Sequence, residues 1–295
     1  MMTGMRILTS FMRMARPTAY VATGLLLAQA AGTATLAEPP ADQAAPKADT
    51  PKPVTCEIPG TALELRMVPV PGPDGKTAFW ISDAEISWDH YDVFVYELDE
   101  PANEDVDAVT RPTRPYISAD RGWGHAGYPA LSISHRGANA FCKWVAASTG
   151  RPYRLPTVEE WKQVCKAAGV SAENSEEHGW LAGNAKRRTH KLRSRKPDAL
   201  GLHDLHGNVS EWCRSGEGED DFVLVGACYS DDTVECDLIK TPIPDWNDTD
   251  PQIPKSIWWL SDAPFAGFRV VCESPLPSAK SPTVQEDQRP RGGTP

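Results

Sequence analysis

The sequence predicts an α+β domain in which a few helices and short strands are joined by long loops. Two amphipathic helices can be placed between residues 134 and 169, a third after Ser87, and short strands at 79–82, 222–226 and 267–272. Proline is frequent, at 27 of 295 residues, and the 10 tryptophans outnumber the 7 phenylalanines. Large rings that carry a polar atom suit a core built mainly from loops. No internal repeat is evident.

Both well-defined helices have start and stop signals. Ser134 precedes the first, and Gly150 closes it. Thr157 precedes the second and forms a capping box with Glu160, and Gly169 ends that helix. Their apolar positions at helical spacing are Ala138, Phe141, Cys142 and Val145 in the first and Trp161, Val164, Cys165 and Ala168 in the second.

The N-terminus has the pattern of a secretory signal. A basic start is followed by an uncharged, small-residue-rich stretch over 20–36, and cleavage is expected before Glu38. We therefore predict a signal peptide at 1–37, no transmembrane span in the mature chain and a periplasmic location, where disulfides persist. An uncleaved membrane anchor is the alternative.

Two further segments have little to bury. Residues 38–54 predict a disordered linker and residues 275–295 a disordered tail, since both are rich in proline and poor in large apolar groups. The folded domain is then expected at 55–274.

The charge balance bears on partners. The formal net charge is −10, so nucleic acid is not an expected partner. Within this acidic chain the segment 186–196 is strongly basic. It predicts either a solvated loop or a docking surface for an acidic partner, and the chain's own acidic stretches at 97–107 and 217–221 could also receive it. We expect a protein or peptide partner, and the sequence does not give the oligomeric state.

The run from Gly201 to Trp212 packs two glycines, two acids, an Asn and a Trp into twelve residues and fits neither a helix nor a strand period. Glycine permits backbone angles that side chains forbid. Asp204 and Glu211 supply hard oxygen ligands, and a bent backbone between them can aim carbonyls at the same point, which suits Ca²⁺. The alternative is a turn with surface carboxylates.

This run resembles the signature of the sulfatase-modifying-factor domain, the formylglycine-generating enzyme family. Four other segments resemble that family in the same order, so that the likeness covers roughly residues 62–273. They are Phe79-Trp80-Ile81-Ser82-Asp83-Ala84-Glu85-Ile86, Tyr128-Pro129-Ala130-Leu131-Ser132-Ile133-Ser134, Arg154-Leu155-Pro156-Thr157-Val158-Glu159-Glu160-Trp161 and Gly267-Phe268-Arg269. The resemblance implies a loop-rich variant of the C-type lectin fold.

The resemblance also implies calcium. Its ligands would be side-chain oxygens of Asp204 and Glu211 and the carbonyls of Gly207 and Val209. A second calcium site of the family begins with an Asn that Asn184 resembles, but no partner loop follows it in this chain.

Seven cysteines allow up to three disulfides and one remaining thiol in an oxidising compartment. The family resemblance implies the pairs Cys142–Cys272 and Cys165–Cys236. Cys213 and Cys228 could form a third bridge, and the alternative is that several cysteines are buried thiols.

The family's copper chemistry uses two cysteines that hold Cu(I), a soft metal that prefers thiolates. Laid on the family pattern, one copper cysteine falls on Asp231 and the other on Cys236. A carboxylate is a hard ligand, so Cu(I) is not expected at this position. A shifted catalytic pair of Cys228 and Cys236, spaced C-x₇-C, is the alternative.

The resemblance leaves three functions open, of which the third is a periplasmic enzyme that matures a pigment or siderophore. The first is an accessory or maturation factor that binds a periplasmic enzyme without copper, as relatives beside periplasmic copper nitrite reductases of denitrifying bacteria imply. The second is an oxidoreductase that oxidises a protein cysteine or another sulfur substrate with copper or non-haem iron. His203 and His206 are the histidines closest together in the sequence for an iron site, but both lie inside the signature run, where structural roles are favoured.

Overall fold

The computed structural model describes residues 51–101, 103–116, 118–273 and 276. The predicted signal peptide, most of the linker and nearly all of the tail lie outside these residues. Among the described residues no helix is both long and apolar enough to cross a lipid bilayer.

Helices and strands alternate with long loops, so the α+β class is confirmed. The helices are α1 (Trp88–Val95), α2 (Glu104–Asp107), α3 (His135–Thr149), α4 (Val158–Ala167), α5 (Ser175–His178) and α6 (Ala182–Ala185), with one 3₁₀ turn at Pro244–Asn247. The strands are β1 (Val54–Glu57), β2 (Glu64–Pro71), β3 (Thr77–Ser82), β4 (Tyr153–Arg154), β5 (Ser210–Arg214), β6 (Phe222–Val225), β7 (Ile239–Lys240), β8 (Ala266–Gly267) and β9 (Val271–Cys272).

The caps predicted for the helices are present. The Ser134 hydroxyl accepts a hydrogen bond from the backbone of Gly137, and Gly150 ends α3 in the left-handed conformation at φ 65°. The Thr157 hydroxyl and the Glu160 carboxylate exchange backbone hydrogen bonds at the start of α4, which is the capping box. Local signals of this kind act within one turn, so they can be recognised without tertiary context.

The strands form two sheets. One has the order β1-β2-β3-β9-β4 and the other β7-β6-β5-β8. β9 lies between β3 and β4 and is antiparallel to both, whereas β8 runs parallel to β5. The strand predicted at 267–272 is in fact two strands, because the chain leaves the second sheet after Gly267 and enters the first at Val271. This short segment therefore joins the two sheets.

The strands β1 and β2, which pair with each other, were not predicted from the sequence. Residues 64–67 of β2 do alternate between exposed and buried positions, but the alternation is brief and the strand contains Pro69 and Pro71. Proline cannot donate to a strand ladder, so it weakens a sequence-based strand assignment.

One disulfide joins described residues, and it links Cys165 on α4 to Cys236 across 71 positions of sequence. This is one of the two pairings that the family resemblance implies. The other implied pair, Cys142 and Cys272, is not a disulfide in this structure; both residues lie buried in the main apolar core. A thiol in such surroundings behaves as a small apolar side chain.

Candidate functional site

The signature run forms a sharply bent loop that delivers β5 into the core. Four of its residues have positive φ: Gly201 at 87°, Asp204 at 58°, Gly207 at 133° and Asn208 at 60°. Asp and Asn tolerate this region better than other side chains because their short polar groups can bond locally. The Asn208 side chain instead bonds across the fold, accepting a hydrogen bond from His190 N, 18 positions away, at 2.9 Å.

Gly207 is required for a second reason. A β-carbon at this position would overlap the backbone carbonyl of Trp180, whereas one at Gly201 would meet nothing within 4 Å. We expect Gly207→Ala to lower the free energy of unfolding by about 3 kcal/mol and Gly201→Ala by only about 1 kcal/mol, because both are strained by positive φ but only the first also clashes. Urea denaturation of the two variants measures this difference, and equal losses would contradict the clash.

A buried ion pair lies directly behind the loop. Arg269 Nε donates to Glu211 Oε2 at 2.7 Å, and both side chains are almost fully excluded from solvent. The same carboxylate oxygen accepts a hydrogen bond from Trp161 Nε1 at 2.8 Å. The guanidinium also donates to the carbonyls of Ser82 and His203, at 3.0 and 3.1 Å. Arg269 thus ties together both sheets and the signature loop.

Glu85 is a second buried acid of the same network, and its role was not recognised from the sequence. Its carboxylate accepts hydrogen bonds from Asn208 Nδ2 at 2.9 Å and from Val209 N at 3.0 Å. Burial, followed by the nearby charges of Asp204 and Glu211, raises the pKa of Glu85 well above its ordinary value. Glu85 lies in the early motif, so its presence there was the available signal.

Two oxygens of this network are unusual in being buried without a hydrogen-bond donor: Asp204 Oδ1 and Glu211 Oε1. Asp204 Oδ2, in contrast, accepts from Arg193 N at 2.7 Å. Buried acceptors normally have partners, so an oxygen pair of this kind fits a hard cation such as Ca²⁺. Within the described residues no three acidic, His or Cys side chains converge as metal ligands. The carbonyls of Gly207 and Val209 would therefore have to complete the site.

The Asn184 side chain has other partners. Its Oδ1 accepts from Leu181 N at 2.8 Å and its Nδ2 donates to the Gly179 carbonyl at 3.1 Å. These bonds close the single turn of α6. The side chain therefore acts as a helix-turn cap.

Cys228, Asp231 and Lys240 form a polar cluster that contains one of the two positions laid on the copper cysteines, Asp231. Lys240 Nζ lies 2.5 Å from Asp231 Oδ2, 2.7 Å from Ser210 Oγ and 3.6 Å from Cys228 Sγ. Asp231 Oδ2 also accepts from Cys228 N at 2.8 Å. The three hydrogens of the ammonium group thus have three acceptors. Lys240 itself was missed from the sequence because it belongs to no motif.

The shifted pair of Cys228 with Cys236 is not formed. The sulfur of Cys236 is bonded to Cys165, and Cys228 packs in a different apolar cluster, with Ala185 and Tyr229. The suggested Cys213–Cys228 bridge is also not present, since Cys213 packs beside Cys165 in another cluster. Burial raises the pKa of the Cys228 thiol, with the Lys240 charge acting in the opposite direction.

A two-thiolate copper site does not fit these residues. Only Cys228 contributes a thiol at the cluster, Asp231 is a hard ligand, and the Lys240 ammonium already supplies positive charge there. A soft cation would have to displace that ammonium.

His203 and His206 do not form an iron site with a third ligand in the described part of the chain. His203 Nδ1 lies 3.1 Å from the Arg195 carbonyl. His206 is buried, which lowers its pKa to about 4, and its Nε2 has no hydrogen-bond partner. Their surroundings favour the structural roles expected from the sequence.

His125 belongs to a second polar cluster, which the sequence could not assign. Its two ring nitrogens lie 2.9 Å from Asp120 Oδ2 and 2.7 Å from Asp92 Oδ2, and the ring stacks on Trp88 with centroids 5.0 Å apart. With Tyr116 these residues line a cleft of about 230 Å³. The arrangement fixes the loop before residue 128 against α1.

The contacts of His125 with Asp92 and Asp120 should make the stability of the protein depend on pH. Burial lowers the pKa of His125, but the hydrogen bonds and charges of Asp92 and Asp120 raise it by more, so it lies above the ordinary value of 6.5. A raised pKa contributes stability below the unfolded value that is lost as pH rises through the folded value. His125→Gln should therefore cost up to about 1 kcal/mol near pH 5 and nearly nothing near pH 9, since the pair is partly exposed.

His135 provides the control for that measurement. Burial lowers its pKa despite the opposing effect of Asp220, so the pH slope of its contribution has the opposite sign. Urea denaturation of His125→Gln and His135→Gln across the same pH range should give opposite trends. If the cost of His125→Gln did not change with pH, the ion pairs of His125 with Asp92 and Asp120 would not contribute to stability.

The chain matches the family described as sulfatase-modifying factor enzyme 1-like domain over residues 75–273. This range contains the three buried acids of the network, the signature loop and Arg269. The chain belongs to the sulfatase-modifying-factor family.

Solved structures with the same kind of fold include Treponema denticola variable protein 1, at 16% identity and a TM-score of 0.52, over 76% of this chain and 100% of that one. PvdO from Pseudomonas aeruginosa is also similar, at 16% identity and a TM-score of 0.44, over 74% of this chain and 100% of that one. The first likeness supports the fold, a loop-rich α+β arrangement consistent with a C-type-lectin-like fold.

A curated relative is the serine/threonine-protein kinase pkn1 of Chlamydia pneumoniae, 30% identical over 106 residues, or 33% of this chain and 15% of the kinase. A second kinase of the same name, from Chlamydia caviae (strain ATCC VR-813 / DSM 19441 / 03DC25 / GPIC), is 31% identical over 105 residues, or 33% of this chain and 15% of that protein. The chain thus spans about one-seventh of the length of these relatives. The sulfatase-modifying-factor family is defined by the scaffold, and the chemistry has to be judged from this chain's own residues.

Proposed function

We propose that this member of the sulfatase-modifying-factor family is an accessory or maturation factor that binds a protein or peptide partner without using copper. The observation that supports this most directly is the Lys240–Asp231 ion pair beside Cys228, with Nζ and Oδ2 2.5 Å apart. The Lys240 ammonium group has three acceptors and already supplies positive charge beside the one thiol of the cluster. The scaffold can then serve for binding, as folds of this type do not fix the activity.

A copper titration tests the proposal. Fully reduced protein is titrated with Cu(I) in competition with a chromogenic chelator and then given oxygen and a peptide that carries the sequence C-x-P-x-R. We expect no tight binding and no aldehyde in the peptide. Tight binding with aldehyde formation would establish the competing oxidoreductase function.

Two variants make the titration specific. Cys228→Ser removes the thiol of the cluster, and Cys213→Ser removes a buried thiol elsewhere in the core. If Cys228→Ser abolished Cu(I) binding and Cys213→Ser retained it, the Cu(I) would be bound at the cluster. Such a difference, at tight affinity, would argue against an accessory role without copper.

We further propose that Ca²⁺ binds the signature loop through Asp204, Glu211 and the carbonyls of Gly207 and Val209. Asp204 Oδ1 and Glu211 Oε1, the two buried carboxylate oxygens without a hydrogen-bond donor, support this ligand set. Bound calcium would supply positive charge to an acid-rich interior and hold the loop in its bent form. It is assigned no part in a reaction.

Thermal unfolding with added Ca²⁺ and with a chelator tests the calcium proposal. At a calcium concentration a hundred times the Kd, the gain in stability should be about 2.7 kcal/mol. Asp204→Asn should abolish the calcium-dependent gain. Asp198→Asn, which alters a nearby acid that accepts from Leu200 N and Leu202 N, should retain it. A gain lost equally in both variants would contradict this ligand set.

A periplasmic location remains part of the proposal. The signal-like N-terminus supports it, and so does the Cys165–Cys236 disulfide, since such bonds persist in oxidising compartments. Fractionation of cells that produce the chain, followed by detection of a product that begins near Glu38, tests it. Protein recovered only in the cytoplasm at full length would contradict it.

A further inference from the structure

The basic loop, residues 186–191, has an organisation that the proposed function does not explain. Lys186, Arg187, Arg188 and Lys191 are all exposed, and no salt bridge joins any of them to a described residue. The remaining cations of the basic segment do have internal partners. Arg193 pairs with Asp83, Lys196 with Glu177, and Arg195 lies over the ring of Trp180.

The loop is held rigidly by the signature run and its neighbours. His190 N donates to Asn208 Oδ1 at 2.9 Å, and His190 Nε2 lies 2.8 Å from the Ala185 carbonyl. Leu192 N donates to the Gly127 carbonyl at 2.9 Å, and Thr189 is buried within the loop. These contacts fix the backbone from both ends, so that the exposed cations project from a preformed surface.

The charges of this loop act together on nearby groups. Burial lowers the pKa of His190, and the charges of Arg188, Arg195 and Lys186 lower it further. The loop also adjoins the candidate site, since Ala185 packs against Cys228 and Tyr229. A positive surface on a chain of net charge −10 therefore borders the cluster that contains Cys228.

We propose that the basic loop is a docking surface for an acidic peptide segment of a partner protein. This deepens the proposed function, and it rests on that function only in taking the partner to be a protein. Charge complementarity identifies the chemistry of the partner, and a preformed loop reduces the conformational entropy lost on binding. The adjoining Trp180 stacks with His190 at a centroid distance of 3.7 Å and has Arg195 over its ring, so it helps to hold the loop in place.

Fluorescence anisotropy with a labelled peptide of alternating glutamate and glycine tests the docking surface. Replacing all four exposed cations of the basic loop by glutamate should weaken peptide binding by about tenfold or more. Raising the salt concentration should also weaken peptide binding by the wild type, because salt screens exposed charges. The matched control replaces Lys52, Lys76, Lys143 and Lys166 by glutamate, which changes the net charge by the same amount at exposed positions elsewhere. The control should retain the wild-type affinity.

Three outcomes would overturn the proposal. They are undetectable binding of the peptide to the wild type, equal weakening in the control and loop variants, and tighter binding of a single-stranded oligonucleotide or of anionic lipid vesicles than of the peptide. Circular dichroism of both variants verifies that each is folded. The copper titration is independent of this measurement. Peptide binding can therefore fail while the protein is still shown to work without copper, and the protein can be shown to use copper while the peptide still binds.

Discussion

Arg269→Met should lower the free energy of unfolding by about 3–5 kcal/mol, because it leaves buried acids without their counter-charge. Glu211 would lose the donor at 2.7 Å, and the positive charge that opposes the burial of Glu85 would also disappear. The carbonyls of Ser82 and His203 would lose hydrogen bonds as well. Urea denaturation at neutral pH measures the loss.

Two further variants separate the charge effect from a general loss of packing. Arg154→Met breaks a half-buried pair with Glu160 and a more exposed pair with Glu273, both of which water can reach, and should cost only about 1 kcal/mol. Combining Arg269→Met with Glu211→Gln removes both charges of the buried pair, so the double variant should be more stable than Arg269→Met alone. A double variant less stable than the single one would show that the lost packing, rather than the uncompensated charge, dominates.

Cys165→Ala should cost about 4 kcal/mol under oxidising conditions. The disulfide closes a segment of 71 positions, and removing such a cross-link increases the conformational entropy of the unfolded chain. Chemical denaturation with and without a reducing agent measures the effect. The wild type should lose the same stability on reduction, whereas Cys165→Ala should change little.

Cys213→Ala is the matched control for the disulfide. Cys213 is fully buried in the same apolar cluster as Cys165 but is not in a disulfide. Its replacement removes a small buried group and should cost about 1 kcal/mol, with the same value in oxidising and reducing buffer. If the two variants lost equal stability, the cross-link would not be the source of the effect.

Features that depend on neighbours along the chain could be predicted from the sequence. The caps at Ser134 and Thr157, the closing Gly150 and the apolar faces of the two longest helices depend on contacts within one or two turns. The signature run was equally visible, because positive φ at several closely spaced positions requires an unusual composition. The family and the α+β class follow from these motifs and their order.

Features that depend on long-range packing could not be predicted from the residues alone. The Glu85–Asn208 hydrogen bond spans 123 positions, and the partner of Asp231 is a lysine that no motif marks. Cysteine spacing does not determine connectivity, so the pairing of Cys165 with Cys236 came from the resemblance and not from the spacing. The resemblance also implied a Cys142–Cys272 disulfide, which is not found here.

The segment that passes from Gly267 to Val271 has a consequence for how the protein is made. Because it contributes a strand to each sheet and carries Arg269 between them, neither sheet is complete until nearly the last described residue has been synthesised. β3 pairs with β9 across almost the whole domain, and contacts of such long range slow folding. The two sheets of the newly made domain should therefore stay incomplete until the residues of β9 have left the ribosome and can reach β3 and β4.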